Sequence, residues 1–199
     1  MLELFQKGGP LMYPILLSSV MALAIFLERI WTFRRVRRGI EQLSREVESL
    51  AHRGHIDEAL VVCQRNGSTL ARIFIAALRA AGRSRDHLKT VVEEVGGRET
   101  APLEKYLGLM GTIATIAPLL GLLGTVFGMI EAFTVISVQG AGTPATLGGG
   151  ISEALITTAA GLSVAIPTIL LHKYLTSRVE RIALELEEYS LRLVDLLGS

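Results

Sequence analysis

Four side chains have the types and spacing for proton transfer where water is scarce: Glu153, Thr157 and Thr158 in one apolar segment, and Thr125 in another. Glu153 interrupts GGGISEALITTAAGLSVAIPTILL (148–171), which otherwise reads as a membrane span. A carboxyl carries a removable proton, and hydroxyls one turn away can exchange hydrogen bonds with it and hold a chain of water. An ionised acid in the middle of a span costs about 3 kcal/mol on insertion scales, because burial disfavours the charged form. Glu153 is therefore expected to stay neutral at rest and to ionise only when water or a cation approaches. Two other readings stay open: a residue solvated at the outer interface, or a satisfied polar group in a helical scaffold. Glu131, the other acid of the apolar half, lies near a loop and reads as interfacial; no role is assigned to it.

Other chemistries lack their residues. The glycines of GGG (148–150) and GLLGTVFG are not followed by the Lys-Ser/Thr of a phosphate loop. His52, His55, His87 and His172 have no partners at metal-ligand spacing, so no metal site and no cofactor are expected. No Gly-x-Ser-x-Gly or intramembrane Asp pair suggests an enzyme. Cys63, the single cysteine, cannot form an internal disulfide and reads as a small core residue suited to a reducing compartment.

The elements that must hold these side chains follow from composition. Half of the 199 residues are hydrophobic, which favours the membrane class. A net charge near zero argues against nucleic-acid binding. The charge is unevenly placed: 14 of the 20 Lys and Arg residues lie between Arg34 and Lys105, and none lies between Tyr106 and His172. LMYPILLSSVMALAIFL (11–27), slightly extended, is long enough to cross a bilayer. Trp31, Phe33 and RRVRR (34–38) after it mark an interface and a cytoplasmic side. The segment lacks the marks of a cleaved signal and is expected to be a retained anchor with its N-terminus outside.

The sequence thus predicts an all-α integral membrane protein with three transmembrane helices, a cytoplasmic helical domain and long helices extending into the cytoplasm. Residues 1–33 hold the periplasmic start and the first span, and 34–105 the cytoplasmic domain. The second span is 106–137, the periplasmic loop 138–147 and the third span 148–172. Residues 173–199 form a cytoplasmic amphipathic helix with Leu175, Val179, Ile182, Leu186, Leu193 and Leu196 near one side. Within the cytoplasmic domain, apolar spacing predicts a helix from Ile40 capped at Gly54, a second ended by Asn66-Gly67, a third over TLARIFIAALRAAG and a fourth from Ser84, with a break or kink at Gly96-Gly97 and Pro102.

Spans two and three carry small residues at helical spacing. Gly121, Gly124 and Gly128 in one, and Ala154, Gly161 and Ala165 in the other, predict close helix packing in lipid. Thr125 lies 20 residues after Lys105, and Glu153 20 before Lys173. If both helices leave the cytoplasm at those lysines, both groups sit about 30 Å away at one level, with Thr157 and Thr158 a turn or so deeper.

TIATIAPLLGLLGTVFGMIEAF (112–133) and GGGISEALITTAAGLSVAIP (148–167) resemble the signature segments of the ExbB/TolQ/MotA proton-channel family, most closely its ExbB and TolQ branch. The resemblance implies a homopentamer in the bacterial inner membrane, bathed in its lipids, with a proton channel lined by spans two and three. An ExbD- or TolR-like single-span partner dimer, carrying an aspartate, occupies the pore. Proton motive force would drive a rotary motor coupled to a TonB- or TolA-like energy transducer. In the ExbB case this serves TonB-dependent outer-membrane transport; in the TolQ case, the Tol-Pal envelope system. The family's pore glutamate falls on Glu153 and its pore threonines on Thr125 and Thr158.

Overall fold

The computed structural model describes residues 7–139 and 144–198. The tip of the loop expected at 138–147 and the first residues of the chain lie outside the described residues. Among the described residues seven α-helices follow in order: α1 Met12–Arg37, α2 Ile40–His52, α3 Ile56–Asn66, α4 Thr69–Arg79, α5 Arg85–Thr100, α6 Leu107–Gln139 and α7 Pro144–Leu197. A 3-10 turn at Ala101–Glu104 precedes α6. No strand occurs among the described residues. Three segments, contained in or running through α1, α6 and α7, are long and apolar enough to cross a membrane. In lipid a backbone must satisfy its own hydrogen bonds, which continuous helices do.

The chain divides into two compact units. The apolar unit comprises residues up to Leu27 and Tyr106–Tyr174: the start of α1, all of α6 and most of α7. Ile15, Ala22, Met110, Ala117, Thr157 and Ala165 face inward. Leu16, Leu23, Leu122, Phe133, Leu155 and Leu170 face outward, as they must where the surroundings are hydrocarbon or other helices. Each long helix carries an internal proline, Pro118 in α6 and Pro167 in α7. Proline lacks an N–H, so the carbonyls of Ala114 and Ser163 lose their helical donor.

The polar unit comprises Glu28–Lys105 and Leu175–Ser199. Helices α2 to α5 pack in sequence, each on its neighbour. Their ends follow local chemistry. Gly54 has φ 76, and the N–H groups of Gly54 and His55 reach the carbonyls of Ala51 and Leu50 at 3.0 Å, a Schellman closure of α2. Gly67 closes α3 in the left-handed region. The Ser68 and Ser84 hydroxyls cap α4 and α5 by accepting from Ala71 and His87. The tail of α7 buries Leu175, Val179, Ile182, Leu186 and Leu193, with Ser190 and Val194 completing the stripe. Leu196 is only half-buried.

Of the two places where a break or kink is expected, the helix ends only at the second. Helix α5 runs unbroken through Gly96-Gly97, because a mid-helix glycine costs only about 1 kcal/mol and removes no hydrogen bond. The Thr100 hydroxyl folds back on the Gly96 carbonyl at 2.9 Å. The break comes at Pro102, followed by Tyr106 at φ 68. That turn is held by Arg29, which is buried and donates to the Pro102 carbonyl at 3.1 Å with Glu28 beside it.

Cys63 is fully buried in the polar unit, and burial, with a smaller contribution from Glu46, pushes its thiol up from 9.0 to about 11. The raised value means that the folded state holds the proton where the unfolded state has lost it. The stabilisation is therefore complete below pH 9 and disappears between pH 9 and about 11. Thermal melts should show a loss of stability over that window that is absent in Cys63→Ala, and a maleimide should leave the folded thiol unmodified at neutral pH.

Candidate functional site

Helices α6 and α7 run antiparallel along a seam of small residues. A methyl group on Gly161 would lie 2.6 Å from the Ala117 carbonyl and 3.0 Å from Gly121 Cα. One on Gly128 would lie 2.7 Å from the Gly150 carbonyl, and one on Gly121 would lie 3.0 Å from Thr158 Cα. These are backbone contacts that a larger residue cannot relieve by turning a side chain. Ala154 and Ala165 are buried, and Ala154 meets Gly128. Small residues permit such an approach in lipid, where the hydrophobic effect does not drive helices together.

The seam fixes the hydroxyls. Thr158 Oγ1 donates across it to the Gly121 carbonyl at 3.0 Å. Thr157 is 1% exposed, and its side chain lies against Gly124. Its Oγ1 lies 2.8 Å from both the Glu153 carbonyl and the Gly8 carbonyl. One hydroxyl proton can serve only one of these acceptors at a time. Glu153 is half-buried, one turn from Thr157, with its carboxylate against Gly9. Glu153 and Glu131 also line a cavity of about 560 Å³ together with Lys7, Ser152 and Gly148–Gly150.

Thr125 is not part of this group. Its hydroxyl returns to the Leu122 carbonyl at 2.6 Å, and it lines a separate open groove with Val126, Met129, Ile130 and Phe133. Along the seam Gly128 meets both Gly150 and Ala154, and Gly161 meets both Ala117 and Gly121, so Thr125 and Glu153 lie within about one turn of the same level.

Gly8 and Gly9 were not singled out from sequence. The only signal was a Gly-Gly-Pro triplet directly before an apolar span, which reads equally well as a plain helix start.

A bundle of apolar helices with a buried seam of small residues and one carboxyl beside a buried hydroxyl defines a polytopic membrane protein of the ion-conducting class. Residues 65–188 match the profile of the MotA/TolQ/ExbB proton channel family. The chain is 35% identical over 180 residues to the biopolymer transport protein ExbB-like 1 of Synechocystis sp., covering 89% of this chain and 71% of that protein. It is 33% identical to an ExbB homolog of Methanothermobacter thermautotrophicus, covering 90% of this chain and 64% of the relative. It is 40% identical to the Tol-Pal system protein TolQ of Haemophilus influenzae over 85 residues, 43% of this chain and 37% of that one. The chain belongs to the MotA/TolQ/ExbB proton channel family. It is an ExbB-like proton-channel subunit and not an enzyme.

The seam can be tested by placing one side chain in two settings. Gly161→Val, which must move backbone, should lower stability in detergent by about 1–3 kcal/mol more than a valine where nothing is displaced. Gly148 has open space around it, so Gly148→Val is the matched variant, and their melting temperatures give the comparison.

Proposed function

We propose that Glu153 is the proton-carrying group of this channel, assisted by the hydroxyls of Thr157 and Thr158, with Thr125 joining the path when copies of the chain assemble. The observation that supports this most is the carboxylate itself. It is one of only two acids between Tyr106 and His172, half-buried beside a fully buried threonine on a seam that fixes its height. Glu153 shares its cavity with Glu131 and with the Lys7 side chain rather than with a ring of oxygen ligands, which suits a proton better than a metal cation.

Within one chain, Thr125 faces away from Glu153 on an open apolar groove. A path through both therefore needs a second copy or a partner helix. A homopentamer around an ExbD- or TolR-like single-span dimer meets that need and supplies the second buried acid that would receive the proton. The proton motive force supplies about 2.3 kcal/mol per proton for each 100 mV. A TonB- or TolA-like protein would carry the resulting motion outward. We place the protein in the bacterial inner membrane, with the basic segments Arg34–Lys105 and Lys173–Arg192 in the cytoplasm and the loop at 138–147 in the periplasm. The similarity to TolQ over 85 residues favours, as a second reading, service in a Tol-Pal system. The identity of the co-purifying single-span protein decides between the two.

Glu153→Gln keeps the shape and removes the titrating group. It should insert and assemble at the level of the unmodified chain while losing partner-dependent proton flux into liposomes. Thr158→Val should leave a partial defect. Undiminished flux in Glu153→Gln would reduce the protein to a non-conducting scaffold.

A further inference from the structure

We propose that the turn Gly8-Gly9 before α1 is a positioning element that seats the Glu153 carboxylate. This rests on the reading that Glu153 carries the proton. The turn belongs to the same compact unit as Glu153 and is pinned from both sides. The Gly9 carbonyl accepts the Met12 N–H at 3.2 Å, the first bond of α1, and the Gly8 carbonyl accepts from Thr157 at 2.8 Å. Pro10 fits this first turn because no N–H is required of it.

Gly9 has φ 70, in the left-handed region, and its bare Cα forms the floor under the carboxylate. A methyl there would collide with Oε1 and come within 3.0 Å of Cδ and 3.6 Å of Cγ of Glu153. The atoms in the way are the end of a flexible side chain. A substituted residue 9 therefore evicts the carboxylate and leaves the helices in place. The cavity that Lys7 and Glu131 also line is open to it. Thr157 links the two halves of the device. Its hydroxyl lies 2.8 Å from both the Gly8 carbonyl and the Glu153 backbone carbonyl and donates its one proton to either. A displacement of the amino-terminal turn thus reaches both the acid and its neighbouring hydroxyl. Groups that act on a proton lose rate steeply when misplaced by about 1 Å.

The test uses the full chain in liposomes with the partner that co-purifies with it, following proton flux with a pH-sensitive dye after checking insertion and assembly. Gly9→Ala and Gly9→Asn should both lose about tenfold in flux. Asparagine tolerates a left-handed backbone and alanine does not, so similar losses point to the added Cβ. Glu153→Asp shortens the acid by about the length of the added methyl, so Gly9→Ala/Glu153→Asp should conduct better than either single variant, and Thr157→Ser better than Thr157→Val. Near-normal flux in Gly9→Asn, or a double variant no better than the worse single, overturns the seat while leaving Glu153 as the proton group. Normal flux in Glu153→Gln removes the proton reading, and the seat with it.

Discussion

The close approach of α6 and α7 is the constraint on which the site depends. Gly121, Gly128, Gly150 and Gly161 bring two backbones so near that added methyl groups would meet carbonyl oxygens and Cα atoms. Hydrocarbon offers no hydrophobic gain for pairing helices, so the association rests on packing and on polar contacts such as Thr158 to the Gly121 carbonyl. Backbone against backbone leaves no room for sliding. The register that results places Thr157 opposite Gly124 and sets the height of Glu153 one turn beyond it.

Much of this was legible in the residues. Apolar length gave three crossings, and Gly54, Gly67 and Ser84 marked helix ends because each acts through its own few neighbours. The small-residue stripes named the seam. What the sequence did not carry was register. Counting from Lys105 and Lys173 speaks to the depth of Thr125 but not to the side of α6 on which it lies, which the packing of the seam decides. Gly8 and Gly9 escaped for a related reason: their partners are nearly 150 positions away, and a glycine pair has no side chain with which to announce a contact. Arg29 lies just before the basic run that follows the first span, yet it is buried and holds the Pro102 turn, 73 positions away.

The site within a single chain is incomplete in an informative way. The acid lies one turn from the Thr157 hydroxyl, Thr158 is tied to the Gly121 carbonyl of α6, and the third hydroxyl, on Thr125, lines a separate groove. On the path proposed above, a channel built from such chains gains its full set of polar groups only by association, and conduction and assembly become one event.

The prolines carry one more consequence. The register that sets Gly124 against Thr157 and Gly121 against Gly161 also sets Pro118 level with the Ser163 turn and Pro167 level with the Ala114 turn. Each helix is thus softened where the other exposes an unclaimed carbonyl. Two rods weakened at matching depths can flex as a pair without prying open the glycine contacts that bind them. That makes this layer a shared elastic joint, about three turns along α7 from Glu153.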